Sequence, residues 1–386
     1  MSTSLLSATK AQVGLARAPG ALPSLTGLRW WSALLVFGLH ARNFGYLSAD
    51  GSVVWRALNT AVAGGSCGVS VFFVLSGFVL AWAARPNDRA RDLWWRRAAR
   101  IYPLHLVTAL LAAVLAGTFV ASLNSRDLGG NVANLLLVSS WNHEWWQVLD
   151  PASWSLVCEA FFYALFPLLM IVLTRCGAPV LLGVAVGAVA CTWGLGIMGA
   201  ALGFSAGLYS LPAARLPEFV AGMAVALLVR RGAWRGPGVP AALALWLVAY
   251  AAACGTRDAF LPSAVTLAPT VLLVAALAKA DLTGRVSPLR GRLVNRLGEL
   301  SYAFYLAQLL VIHAFGALAA ALMPGVPLRG LLVVVVVFGL TLGCAWILNV
   351  AVERPARRWL LRLPPALARW RAGRIVSARS LGLLRR

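Results

Sequence analysis

Arg29 and His40 stand at the two ends of an apolar run in the stretch GLRWWSALLVFGLH, residues 27–40. Both side chains are costly inside a bilayer, where an ionisable residue marks a functional site by default. They are 11 positions apart, which on a helix is about three turns plus 20°, so both share one face. The axial rise between them is roughly 16 Å. Arg29 then sits at a membrane edge, and His40 lies near or somewhat beyond the midplane of a core about 30 Å thick. The chemistry open to such a pair is anion binding by the guanidinium and proton transfer by the imidazole. A buried histidine bonded to a neighbouring helix satisfies the same pattern.

A second cluster is WWRRAARIYPLH, where Arg97 and Arg100 are i and i+3 neighbours on one face at the expected cytoplasmic start of a span. Two forked guanidiniums suit a phosphate group, and equally serve as a topology anchor. His105, further in, is expected to pack or hydrogen-bond. The third cluster, ASWSLVCEAFFYALFP, places Glu159 about one turn inside the outer end of its span. A carboxylate there must be protonated or paired, and His40 and Arg42 are its expected partners by depth. Glu353, in VERPARR, sits at a cytoplasmic helix end within reach of arginines. The stretch HEWWQ (143–147) has one histidine where a zinc helix needs two, so no metal site is expected. The small residues of GGSCGVSVFFVLSGF read as a close-packing helix face.

These residues need a scaffold, and composition names it. The 386 residues are 60% hydrophobic, with a mean hydropathy of +0.80. Apolar runs of about 20 residues recur along the chain, and runs such as LLVVVVVFGL lack the period-two alternation of a membrane β-barrel. The expected fold is all-α: a polytopic transmembrane bundle of about ten spans. They cover about 28–47, 64–84, 101–121, 154–173, 179–199, 211–229, 239–255, 260–278, 298–320 and 329–352. With the N-terminus inside, only Arg42, Arg56, Arg126, Arg215, Arg257 and Arg329 of the 34 Lys and Arg residues fall outside. The positive-inside rule therefore puts both termini in the cytoplasm, and the expected location is the inner (plasma) membrane as a multi-pass protein. The net charge of +22 reads as topology and attraction to anionic lipid, not as nucleic-acid binding. The domain plan is a cytoplasmic arm (1–27), a membrane domain (28–353) and a basic cytoplasmic tail (354–386). The six cysteines form no CxxC pair and read as packing residues.

Taken together, these stretches resemble the acyltransferase-3 family of integral-membrane acyltransferases over about residues 24–360. The opening R-x10-H of that family matches Arg29 and His40. Its GVxxFFVLSGF matches 68–78, including Ser76; its RxxR before IYP matches Arg97 and Arg100. Its WSLxxE matches Trp154, Ser155 and Glu159, and its closing SYxxYLxH and ExP segments match LGELSYAFYLAQ and the segment around Glu353. Gln308 stands where the family often has histidine.

The resemblance implies a ten-helix enzyme that O-acylates a carbohydrate or glycosylated acceptor. It implies acyl-CoA as donor substrate, acetyl by default, with no permanently bound cofactor. Arg29, Arg97 and Arg100 would hold the coenzyme A phosphates, and the pantetheine arm would bring the thioester to His40. His40 would act as general base, or form an acyl-histidine. Glu159 would orient it, in the manner of a triad carboxylate. Trp154, Ser155, Ser76, Glu353 and Gln308 would support the site. The rival function is an exporter of a lipid-linked sugar or small molecule that uses the same polar residues without acyl transfer.

Overall fold

A computed structural model of the protein describes residues 20–47, 52–85, 88–123, 127–326 and 328–363. Most of the expected N-terminal arm and most of the basic tail lie outside the described residues. Among the described residues there is no strand, and ten helices have 16 residues or more. They are α1 (Pro23–Asn43), α2 (Cys67–Ala83), α3 (Ala90–Thr118), α4 (Trp154–Arg175), α5 (Ala178–Leu202), α6 (Pro212–Arg230), α7 (Val239–Cys254), α8 (Leu261–Leu282), α9 (Arg292–Leu322) and α10 (Leu331–Leu348). Each overlaps one expected span, in order. Seven are long and apolar enough to cross a membrane unaided. Of the rest, α2 and α7 are short apolar helices, and α1 has the length, 21 residues, but carries Arg29, His40 and Arg42. The fold is a polytopic helical bundle.

Two local expectations change. The third helix begins at Ala90, not near residue 101. Alanine and arginine are good helix formers, so the helix runs through RRAAR and carries Arg97 and Arg100 well inside its length. The segment after α3 is also more than a surface loop. It contains a short helix, Leu128–Leu135, whose end is bonded to the middle of α3. Tyr102 donates to the Leu135 carbonyl at 3.1 Å, and the His105 ring lies 3.0 Å from the Asn134 carbonyl oxygen. The Asn134 amide in turn donates to the Val148 carbonyl and to Ser153 Oγ. The chain thus dips into the bundle before α4 begins.

Close packing fixes α1. A Cβ at Gly298 of α9 would collide with the Thr26 carbonyl oxygen, and one at Gly68 of α2 would meet the Ser32 carbonyl oxygen. Both helices therefore approach α1 backbone to backbone, as small residues permit in membranes. Farther along, Phe304 of α9 packs edge-on to Trp30 at 5.2 Å and against Phe37 at 5.6 Å. Beyond that, Tyr46 donates to the Ile312 carbonyl at 3.1 Å. Contacts that climb together in number on both helices mean that α1 and α9 run parallel, and they set the level at which each α1 side chain meets α9.

Candidate active site

Two cavities lie one beyond the other along α1. The first takes Arg29 from α1, Arg97 and Arg100 from α3, and Glu159 and Tyr163 from α4. The second takes His40 from the far end of α1, with Trp146, Trp154, Tyr209 and His313 among its walls. Val69 of α2 and Tyr305 of α9 line both. The arginine cavity is narrow, about 60 Å³; the histidine cavity is wide, about 1000 Å³. The latter is the size of a site for a bulky organic molecule.

The three arginines come from two helices, and the surface of each is only partly buried. They feel one another's charge and that of Glu159. Among the described residues, none of the three makes an ion pair within 4 Å, and Arg97 Nε is buried without a hydrogen bond. Three converging guanidiniums with one carboxylate on the same cavity wall leave a net positive lining, which an anion would satisfy.

Glu159 lies apart from its expected partners. Its Oε2 accepts from the Tyr163 hydroxyl at 2.8 Å, and that hydroxyl is also 3.2 Å from Ser76 Oγ. The guanidinium of Arg97 lies 5.9 Å from the Tyr163 ring centroid. The physical reason is the dip before α4. Trp154, the first residue of that helix, already borders the histidine cavity. Glu159, about 7.5 Å farther along at 1.5 Å per residue, falls on the arginine side. Arg42, the other expected partner, donates from Nε to Asn59 Oδ1 at 2.8 Å.

Of the supporting residues, Ser76 and Ser155 line the arginine cavity and Trp154 the histidine cavity. Glu353 accepts from Asn349 at 2.9 Å within a π-helical turn and feels the charges of Arg100, Arg357 and Arg29. Gln308 is fully buried beside His40. His313, which no motif singles out, lines the histidine cavity and sits 2.8 Å from Ser122 Oγ. Among the described residues no three His, Cys, Asp or Glu side chains gather as a metal-binding group.

Sequence reasoning also left Arg215 and Glu218 unassigned, although their i,i+3 spacing is the signal of an intrahelical pair. Both are fully buried, with Arg215 Nη1 3.2 Å from Glu218 Oε1.

A family model described as an acyltransferase domain, acyltransferase 3, matches residues 22–350. The chain is 39% identical over 316 residues to Acyltransferase MdmB of Streptomyces mycarofaciens, covering 76% of this chain and 79% of that protein. It is 28% identical over 273 residues to the exopolysaccharide production protein ExoZ of Rhizobium meliloti, covering 68% of this chain and 81% of that one. It is 24% identical over 174 residues to the peptidoglycan O-acetyltransferase OatA of Listeria monocytogenes, covering 40% of this chain but only 25% of that longer protein. No solved structure matches. The chain belongs to the acyltransferase-3 family and is an integral-membrane acyltransferase.

Proposed function

We propose that this acyltransferase moves an acyl group, acetyl by default, from cytoplasmic acyl-CoA to a hydroxyl of a carbohydrate or glycosylated acceptor. The observation that carries this reading is the pair of cavities with a common wall at Val69 and Tyr305. One is built for anions, the other has room for an acceptor and a ring nitrogen to take its proton. The Listeria relative is named as an O-acetyltransferase of peptidoglycan, which is in keeping with a glycan-like acceptor.

In this reading Arg29, Arg97 and Arg100 hold the donor phosphates. The narrow arginine cavity must widen as the donor enters, most simply by rotation of the long arginine side chains. The thioester then lies near Tyr305, between the cavities. His40 Nδ1 is buried, which leaves Nε2 as the nitrogen open to the histidine cavity. The acceptor hydroxyl attacks the thioester carbonyl carbon while Nε2 takes its proton. The tetrahedral oxyanion collapses, the C–S bond breaks, and the imidazolium returns the proton to the coenzyme A thiolate. No net proton is consumed and no resident cofactor is needed.

The direct experiment is release of free coenzyme A from acetyl-CoA by purified protein, with and without glycosylated acceptors. Acceptor-dependent release is expected; transport of the acceptor without any release would support the exporter instead. Arg97→Ala and Arg100→Ala should each weaken donor affinity by about ten- to a hundredfold, since a charge-assisted contact is worth about 1.5–3 kcal/mol. Lysine should restore only part, because it loses the fork. Glu159→Gln should instead tighten donor binding, by removing the carboxylate that lines the arginine cavity, and leave the pH profile of turnover in place. Titration of each variant with a non-hydrolysable acyl-CoA analogue checks both directions, and unchanged affinity in both alanine variants would reduce the pair to a topology anchor.

The donor side requires that Arg97 and Arg100 face the cytoplasm of a plasma-membrane protein, with both chain termini on the same side, as the distribution of basic residues suggests. A C-terminal fluorescent-protein fusion should glow and an alkaline phosphatase fusion at the same point should be silent. The reverse pattern would invert the donor side.

A further inference from the structure

We propose that the carboxamide of Gln308 is the positioning partner of His40: its Oε1 accepts the proton on Nδ1 and so holds Nε2, unprotonated, toward the histidine cavity. This rests on the reading of His40 as general base. A neutral imidazole has two tautomers, and only the one protonated on Nδ1 offers an Nε2 lone pair to a substrate hydroxyl. A base therefore works best with a fixed acceptor behind it.

Among the described residues near His40, Gln308 is the side chain best placed for this task. Glu159 is on the arginine side of the shared wall and is bonded to Tyr163. Arg42 carries only donors and is engaged by Asn59. His313 faces the open cavity and is engaged by Ser122. Gln308 is 0% exposed, and it is the side chain whose hydrogen-bonding group meets the His40 ring. Yet Oε1 and Nε2 of Gln308, and Nδ1 of His40, all lack a completed hydrogen bond. Three unsatisfied polar atoms at one contact, inside an apolar bundle, are costly. A small rotation about the Gln308 side chain completes the bond, and catalytic hydrogen bonds commonly tighten only when substrate is present.

The register of the helices agrees with the contact. Phe304 is wedged against Trp30 and Phe37, and Ile312 is tied to Tyr46. Gln308 lies midway between Phe304 and Ile312, one turn from each, and His40 is nearly a turn beyond Phe37. Parallel packing brings the two to the same level.

The amide has a chemical consequence. A neutral acceptor orients the imidazole without the charge by which a carboxylate would hold an imidazolium. The other charged or titratable groups that line the same cavity are Arg42, Arg257, Asp258, Tyr209, Tyr305, Cys254 and His313, and none of these is altered by a change at 308.

The test compares Gln308→Leu, Gln308→Glu and His40→Ala, each purified, with turnover followed as coenzyme A release across pH. Gln308→Leu should lower kcat by about 10²-fold with donor KM unchanged. Gln308→Glu, of nearly the same shape, should stay active and move the acid limb of the profile upward by about 1–3 in pH, because a carboxylate now favours the charged ring. Should the leucine variant not accumulate, the glutamate variant still tests the contact on which the positioning role depends, since a carboxylate at 308 that does not meet the ring would leave the limb in place. An acid limb left in place in an active Gln308→Glu enzyme, or wild-type kcat in Gln308→Leu, overturns the proposal while leaving His40 as base. Near wild-type turnover in His40→Ala overturns the base itself, and the positioning role with it.

Discussion

His40→Ala is expected to abolish nearly all acyl transfer while leaving the protein abundant and able to bind acyl-CoA. A general base contributes about 10²–10⁴-fold, and the other proton acceptors on the described cavity wall, Asp258 and His313, are already hydrogen-bonded. His313 lines the same cavity but is bonded to Ser122. The donor seat survives because Arg29, Arg97 and Arg100 line the other cavity, beyond Val69 and Tyr305. The fold survives too, since alanine removes a polar group from the bundle and opens only a small void on a cavity that already exists. Three measurements on one preparation decide it: membrane abundance, binding of a non-hydrolysable acyl-CoA, and coenzyme A release in the presence of acceptor. Release at near wild-type rate from an abundant variant would make His40 a structural residue.

The second large effect is on stability and concerns Arg215. This guanidinium is fully buried, paired with Glu218 at 3.2 Å, and donates to Ser263 at 2.9 Å and Ser70 at 3.0 Å. The rings of Phe73, Tyr209 and Phe260 each lie 5.3 Å from it. One side chain of α6 thus ties α2 and α8 together inside an aromatic cage. Arg215→Met fills similar space but leaves Glu218 buried with no cation. Breaking a buried pair in this way costs about 3–5 kcal/mol, a large part of the roughly 5–15 kcal/mol typical of a folded domain. The variant should accumulate poorly and melt well below the wild type in detergent. Adding Glu218→Leu removes the stranded carboxylate and should recover much of the loss, because a packed apolar pair is often as stable as a buried ion pair. Thermal unfolding of the single and double variants reads the difference. A single variant as stable as the wild type would mean that Glu218 finds another partner or is readily neutralised.

Local residue patterns were enough to set the class of molecule and the order of its helices. Span length and apolarity are local demands of the bilayer, so each of the ten expected spans overlaps a helix of the fold. The sharing of one face by Arg29 and His40, and by Arg97 and Arg100, follows from helical period alone and needs no tertiary contact. Helix limits were less legible where charge and helix propensity pull apart. Arginines suggest the end of a span, but they do not end a helix, and α3 continues back to Ala90. Tertiary structure alone decided which polar groups meet. Depth counted along a span is a one-dimensional coordinate, and it paired Glu159 with His40. The dip of the chain before α4 shifts that count, and lateral neighbours are chosen by backbone contacts such as Gly298 on Thr26 and Gly68 on Ser32. These contacts seat Glu159 among arginines, bring Gln308 to His40, and enclose Arg215 with Glu218 inside the bundle, because packing in a membrane is set by shape between helices and not by the polarity of any one of them.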